Sequence, residues 1–233
     1  MTIPRAERLI AALDVPTAAE ARALVERLGD SVRFYKIGLE LATADGYFEL
    51  LGWLAARGHK VFADLKLYDI PETVRRAVAN VRRHGAAFLT VHGHRPVMEA
   101  AAHEKGAMKI LAVTVLTSFD QRDVAEMGAS LTLEHLVLAR ARAAAETGCD
   151  GVICSGLEAR ALKRELGDRL LLVTPGIRPA AGRGDDQKRT VDVAQAFANG
   201  ADYIVVGRPI RDAADPRAAA QAIQATIASI FSE

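Results

Sequence analysis

The sequence predicts an α/β chain of the (β/α)8 TIM-barrel class, and three observations predict it. A short β-branched run, a polar or glycine turn and an amphipathic helix recur eight times along the 233 residues. The runs are continuously apolar rather than alternating, as parallel strands buried on both faces must be. No linker or low-complexity stretch interrupts them, so the repeats predict a single domain over residues 1–233. A doubly wound open sheet is the alternative, and it fits less well because the first run lacks the glycine-rich turn of a dinucleotide fold.

In chain order the predicted strands are Leu9–Leu13, Phe34–Gly38, Lys60–Leu65, Ala87–His92, Lys109–Leu116, Gly151–Cys154, Leu170–Thr174 and Tyr203–Val206. Between them, Trp53 falls beside Leu50, Leu51 and Leu54 at helical spacing and reads as core. The helix Ile70–His84 has Pro71 at its first position, a Val74, Ala77, Val78, Val81 stripe, outward arginines and a terminating Gly85. Thr132 is placed to cap a helix stopped at Gly148. Asp215-Pro216 opens the last helix, with Ile223, Ile227 and Ile230 on one face.

Composition narrows the function. Thirty Lys+Arg against 29 Asp+Glu, without a block of one sign, argues against a nucleic-acid partner, which needs a concentrated basic face. The apolar runs are strand-sized, so no membrane association is expected. The start, Met-Thr-Ile-Pro-Arg, lacks the apolar core of a signal peptide. Cys149 and Cys154 have no CxxC or Cys/His companions and read as buried, reduced thiols of a cytoplasmic protein.

In a barrel, chemistry is expected at the C-terminal ends of the strands. The densest group there is Asp64-Leu-Lys66-Leu-Tyr-Asp69, after the third strand. Asp64 and Lys66 are two apart, so their side chains share a face, and a buried charge is tolerated only when paired. A plain salt bridge closing the barrel layer is the bland alternative. Asp69, just before Pro71, has its own bland reading as a carboxylate facing a helix N-terminus. Asp14 ends the first strand and Lys36 sits within the second, giving four charges of alternating sign that can hold both lysines protonated.

The seventh run continues into Thr174-Pro-Gly-Ile-Arg178 and the eighth into Gly207-Arg208, the place where barrels commonly bind phosphate. Glycine lets backbone N–H groups approach, and arginine adds a charge-assisted contact; ordinary turns are the alternative. The polar stretch Pro179–Arg189 reads as a lid or as a plain surface loop, and its Gln187 could donate to a phosphate or a base. Thr114, Thr117 and Ser118 offer hydroxyls to a carbonyl or imide edge, or are simply satisfied locally. His92 and His94 lack a third ligand at suitable spacing, so no metal is expected.

Taken together, Ala-Leu-Asp14-Val-Pro, Lys36-Ile-Gly-Leu-Glu, Asp64-Leu-Lys66-Leu-Tyr-Asp69-Ile-Pro-Glu-Thr73, Thr90-Val-His92, Val-Leu-Thr117-Ser, Pro-Gly-Ile-Arg178-Pro and Val-Gly-Arg208 resemble the bacterial-type orotidine 5′-phosphate decarboxylase family over essentially the whole chain. Tyr68 stands where His is frequent and Glu72 where Asn is common, at positions without a proposed chemical role. The resemblance implies a cofactor-free decarboxylation of orotidine 5′-monophosphate (OMP) to UMP in pyrimidine biosynthesis. It implies that Lys66 protonates C6 and Asp64 sits against the departing carboxylate. Asp69, Ile70 and Thr73 would come from the second subunit of a homodimer with shared active sites. Lys36 and Asp14 would contact the ribose, Thr117 the pyrimidine edge, and Arg178, Gln187, Gly207 and Arg208 the phosphate. The rival is a Mg²⁺-dependent phosphosugar enzyme on a similar barrel; it needs a carboxylate on the second strand, where this chain has Lys36.

Overall fold

The computed structural model describes residues 3–128, 130–178 and 189–231. Eight parallel strands close in sequence order: β1 (Leu9–Ala12), β2 (Phe34–Gly38), β3 (Lys60–Leu67), β4 (Phe88–His92), β5 (Lys109–Val113), β6 (Gly151–Ile153), β7 (Leu171–Thr174) and β8 (Tyr203–Val206), with β8 pairing back onto β1. The barrel class is therefore as the sequence predicts.

The surrounding helices are α1 (Ala18–Leu28), α2 (Leu39–Ala42), α3 (Tyr47–Ala56), α4 (Pro71–Arg83), α5 (Arg95–Glu104), α6 (Gln121–Glu126), α7 (Leu133–Glu146), α8 (Ala159–Leu166), α9 (Val193–Ala198), α10 (Arg208–Arg211) and α11 (Pro216–Ile230). Their ends follow the expected local chemistry. Thr132 accepts from the His135 N–H at the start of α7, and Asp215 accepts from the Ala218 N–H at the start of α11. Pro71 opens α4, and Gly85 follows its end at φ 86°, a conformation side chains resist. Two packing expectations need correction. Ile230 ends the α11 stripe 40% exposed, because the helix runs out past the core. Trp53 is only partly buried; it lies at the rim of the core, with the Arg57 guanidinium 4.3 Å from its ring centre.

Period-two alternation divides the strands between two cores. Outward residues such as Leu9, Tyr35, Ala63, Leu89 and Ala112 pack under the helices. Inward residues form a separate cluster in the barrel: Ile10, Phe34, Phe62, Phe88, Leu111, Val173 and Tyr203 among them. Phe34, Phe88 and Tyr203 meet edge to face at 4.8–5.9 Å. Two residues beyond Phe34, Phe62 and Phe88, and so on the same face, stand Lys36, Asp64 and Thr90. The aromatic layer is thus a floor, and the next inward layer is polar.

Two strands end two or more residues from where the sequence reading places their ends. β5 stops at Val113, where Thr114 turns its hydroxyl to the Ile153 carbonyl (2.8 Å), leaving Thr117 and Ser118 in the loop. β3 runs on to Leu67, but irregularly: Ala63 pairs with Leu89 and Leu67 with Val91, so four steps on β3 face two on β4. Lys66 lies inside this bulge at φ 48°, the one non-glycine residue with positive φ among those described.

Candidate active site

The mouth of the barrel holds a cavity of about 240 Å³. Asp14, Lys36, Asp64, Lys66, Thr117, Arg178, Gly207 and Arg208 all line it, above Phe62 and Ala12. Eight of the residues singled out from sequence are thereby brought together.

On one side runs a row of alternating charge. The Lys36 ammonium is 2.7 Å from Asp14 Oδ1 and 3.5 Å from Asp64 Oδ2, and Lys66 Nζ is 2.9 Å from Asp64 Oδ1. Burial by itself would push Lys36 down, but Asp64 and Asp14 outweigh it and hold the ammonium above its ordinary range. Burial would likewise push Asp64 up; Lys36, Lys66 and the Thr90 hydroxyl reverse this and keep the carboxyl below its usual range. Both groups are charged at neutral pH. Side-chain exposure is 11% for Lys36 and 13% for Asp64 but 35% for Lys66 and 40% for Asp14, so the row is buried in its middle and open at both ends.

Thr90, which the sequence reading left without a role, ties this row together. Its hydroxyl donates to Asp64 Oδ1 (2.9 Å) and accepts the Lys66 backbone N–H (3.0 Å). The bulge in β3 takes that N–H out of the strand ladder, and Thr90 supplies the replacement. A fully buried hydroxyl in the run Phe-Leu-Thr-Val-His was the available signal, since buried polar groups must be satisfied. Gly38 was also missed. A Cβ there would sit 3.0 Å from Lys36 Nζ and 3.4 Å from Asp14 Oδ1, so its absence leaves room for the ion pair.

Further round the same mouth, Gly176 and Arg178 follow β7, and Gly207 and Arg208 follow β8, the neighbour of β1. Gly207 directly precedes the first residue of α10 and lies next to Ala12 and Asp14; a Cβ there would make ordinary contact with both at 3.6 Å.

Three expected residues are elsewhere. Asp69, Ile70 and Thr73 are exposed, on the loop after β3 and the first turn of α4, and do not line the cavity. Asp69 Oδ1 accepts the Ile70 N–H at 2.7 Å. Gln187 lies outside the described residues, as does all of the Pro179–Arg189 segment read as a lid except Arg189, which is buried. Beside Asp69, Tyr68 and Ile70 are 62% and 67% exposed, and Leu39 is 64% exposed. His92 and His94 bracket the Tyr68 ring at 5.2 and 4.8 Å, and burial lowers both imidazoles. No group of three metal-ligating side chains occurs among the described residues. No helix among them is long and apolar enough to cross a membrane.

Comparison with known proteins agrees with this geometry. Residues 7–223 match the family model described as orotidine 5′-phosphate decarboxylase / HUMPS family. The chain is 59% identical to orotidine 5′-phosphate decarboxylase of Methylococcus capsulatus over 98% of its own length and 95% of that protein. It is 53% identical to the protein of that name from Rhodopseudomonas palustris, over 97% and 96%. The crystal structure of orotidine 5′-phosphate decarboxylase from Lactobacillus acidophilus superposes with a TM-score of 0.83 at 36% identity, covering 95% of this chain and 99% of that one. A family match over nearly the whole length, on a barrel whose mouth carries the motif residues, shows that this chain belongs to the orotidine 5′-phosphate decarboxylase / HUMPS family.

Proposed function

We propose that this chain is an orotidine 5′-phosphate decarboxylase, converting OMP to UMP and CO2 in pyrimidine nucleotide synthesis. The observation that carries the reading is the Asp14–Lys36–Asp64–Lys66 row, sharing one cavity with Arg178 and the Gly207-Arg208 turn. Such a cavity suits a ligand that is anionic at both ends.

In this reading the C6–carboxylate bond breaks, the electron pair stays on C6 and CO2 leaves. Lys66 Nζ then gives C6 a proton and regains one from solvent. An ammonium held beside the carbon favours charge that develops only in the transition state. At an effective dielectric near 20 a unit-charge pair at 4 Å is worth roughly 4 kcal/mol. Enzymes typically supply ~8–23 kcal/mol, so Lys66 alone is not enough. Binding of the remote phosphate by Arg208, Arg178, Gly207 and Gln187 would contribute to ordering the site. Asp64 faces the departing carboxylate, Lys36 and Asp14 meet the ribose hydroxyls, and Thr117 reads the pyrimidine edge.

The proposal needs no metal or organic cofactor: both carboxylates of the row already face an ammonium. It includes a homodimer in which Asp69, Ile70 and Thr73 enter the partner's cavity. Their exposure after the C-terminal end of β3, together with that of Tyr68 in the same loop and of Leu39 directly after β2, supports this. A cytoplasmic location is supported by the buried, unpaired thiols Cys149 and Cys154. The test is direct. Purified protein is mixed with OMP, and the change in absorbance is followed with and without EDTA. Turnover in both supports the proposal; no turnover removes the decarboxylase reading, and EDTA-sensitive turnover removes the cofactor-free one.

A further inference from the structure

Arg189 and Glu158 form an ion pair that the mechanism above does not use. Each residue is only 8% exposed, and neither lines the cavity. Burying two charges is costly, and an apolar pair of similar size commonly stabilises a fold as well or better. Its partners suggest what the pair does instead.

Three loops at the barrel mouth converge on residues 189–191. From the loop after β5, the Val115 and Leu116 carbonyls accept from Arg189 Nη2 at 3.3 and 2.8 Å. Leu116 is adjacent to Thr117, and both line the cavity. From the loop after β6, Glu158 meets Arg189 while its second oxygen accepts the Ser155 N–H at 2.9 Å. In that loop a Cβ on Gly156 would fall 2.3 Å from Val191 Cγ2, so only glycine permits Val191 to pack there. Asn199 holds the same turn by donating to the Gly156 carbonyl at 2.7 Å. From the loop after β7, Arg178 donates its N–H to the Val191 carbonyl at 2.9 Å, and Val191 donates to the Gly176 carbonyl at 3.3 Å.

We infer that Arg189 is a positioning residue that locks Thr117 and Arg178 into one geometry, so that recognition of the base and of the phosphate is coupled. This rests on the proposed reading, in which those two residues meet opposite ends of OMP. Arginine is suited to the task, because its planar fork spreads its donors, meeting the carboxylate at Nη1 and the two carbonyls at Nη2, whereas a lysine offers a single point charge. The coupled site selects an intact nucleotide over a nucleoside or a free base.

The experiment is a double-mutant cycle between Thr117→Val and Arg178→Ala, run in three backgrounds. These are the native chain, Arg189→Lys, which keeps the charge beside Glu158, and Glu158→Gln/Arg189→Met, which leaves no unpaired buried charge. Each cycle reads kcat/KM for OMP and, independently, affinity for UMP by calorimetry. In the native chain the two losses are expected to depart from multiplicativity by about 10-fold, as for sites sharing one network. In both Arg189 backgrounds they should multiply to within about 2-fold, as independent sites do. Equal coupling in all three backgrounds, or none in the native chain, overturns the inference, since a purely structural role would change stability and leave the coupling alone. A native chain that binds UMP without turning over OMP would remove the decarboxylase reading, while the affinity cycle still decides the role of Arg189.

Discussion

Replacing Lys36 by methionine should destabilise the protein at neutral pH and progressively less as the pH falls. The substitution keeps most of the unbranched side chain and removes the ammonium lying 2.7 Å from Asp14 and 3.5 Å from Asp64. At 3.5 Å and an effective dielectric near 20, Asp64 loses about 5 kcal/mol of attraction. Asp14, with 40% of its side chain exposed, is screened by water and loses little. Breaking a buried pair by removing one partner costs about 3–5 kcal/mol after relaxation, which sets the expected loss at pH 7.

The sign of the pH dependence follows from Asp64. In the native chain its carboxyl is held below the unfolded value of about 3.9, so its contribution is present above that value and disappears as the pH falls toward the folded one. Lys36 is the largest of the attractions that oppose burial at Asp64. Without it only Lys66 and Thr90 oppose burial, so the folded pKa of the variant lies above that of the native protein. The folded variant then takes up its proton at a higher pH than the folded native chain does, and the gap in stability narrows on acidification. Urea unfolding of both proteins, without substrate, from about pH 8 down to about pH 3, through the carboxylate range, measures the difference. A gap independent of pH, or one that widens toward acid, would refute the electrostatic account of the row.

Lys66→Ala is expected to abolish turnover while UMP binding, read by calorimetry, persists; near-native activity would end the proton-donor role. Mixing inactive Asp69→Asn and Lys66→Ala subunits should restore part of the activity through heterodimers with one intact site, and steady-state assays of the mixture check this. Gly38→Ala places a methyl 3.0 Å from Lys36 Nζ without backbone strain, at φ −106°. A displacement of about 1 Å can cost ~10²-fold, so a fall in kcat/KM of at least ~10-fold is expected, against a melting temperature that changes little.

The barrel was legible because its signal is redundant: each strand is a continuous apolar run, and each helix carries its own punctuation. The charges of the site were legible for the opposite reason, since Lys36 and Asp64 are anomalies within apolar strands. What escaped lay in relations between strands. Thr90 looks ordinary until the β3 bulge turns the Lys66 N–H toward it, and that bulge depends on register against β4. The Arg189–Glu158 pair joins residues 31 positions apart in sequence, through loops that carry no periodicity. Asp69 could be noticed from its motif but given a place only through the family resemblance, and its own cavity does not include it.

The surplus in β3 is two residues, an even number, and this parity has a consequence for how the chain tolerates length changes. Four steps against two return Leu67 to the helix-facing side beside Val91, while Asp64 and Lys66 both stay turned inward. Deleting both extra residues would straighten the stave and leave inside and outside where they were. Deleting one would exchange them from that point on, sending a leucine into the charged mouth and a lysine against the helices. At this edge of the barrel, viable insertions and deletions therefore come in pairs.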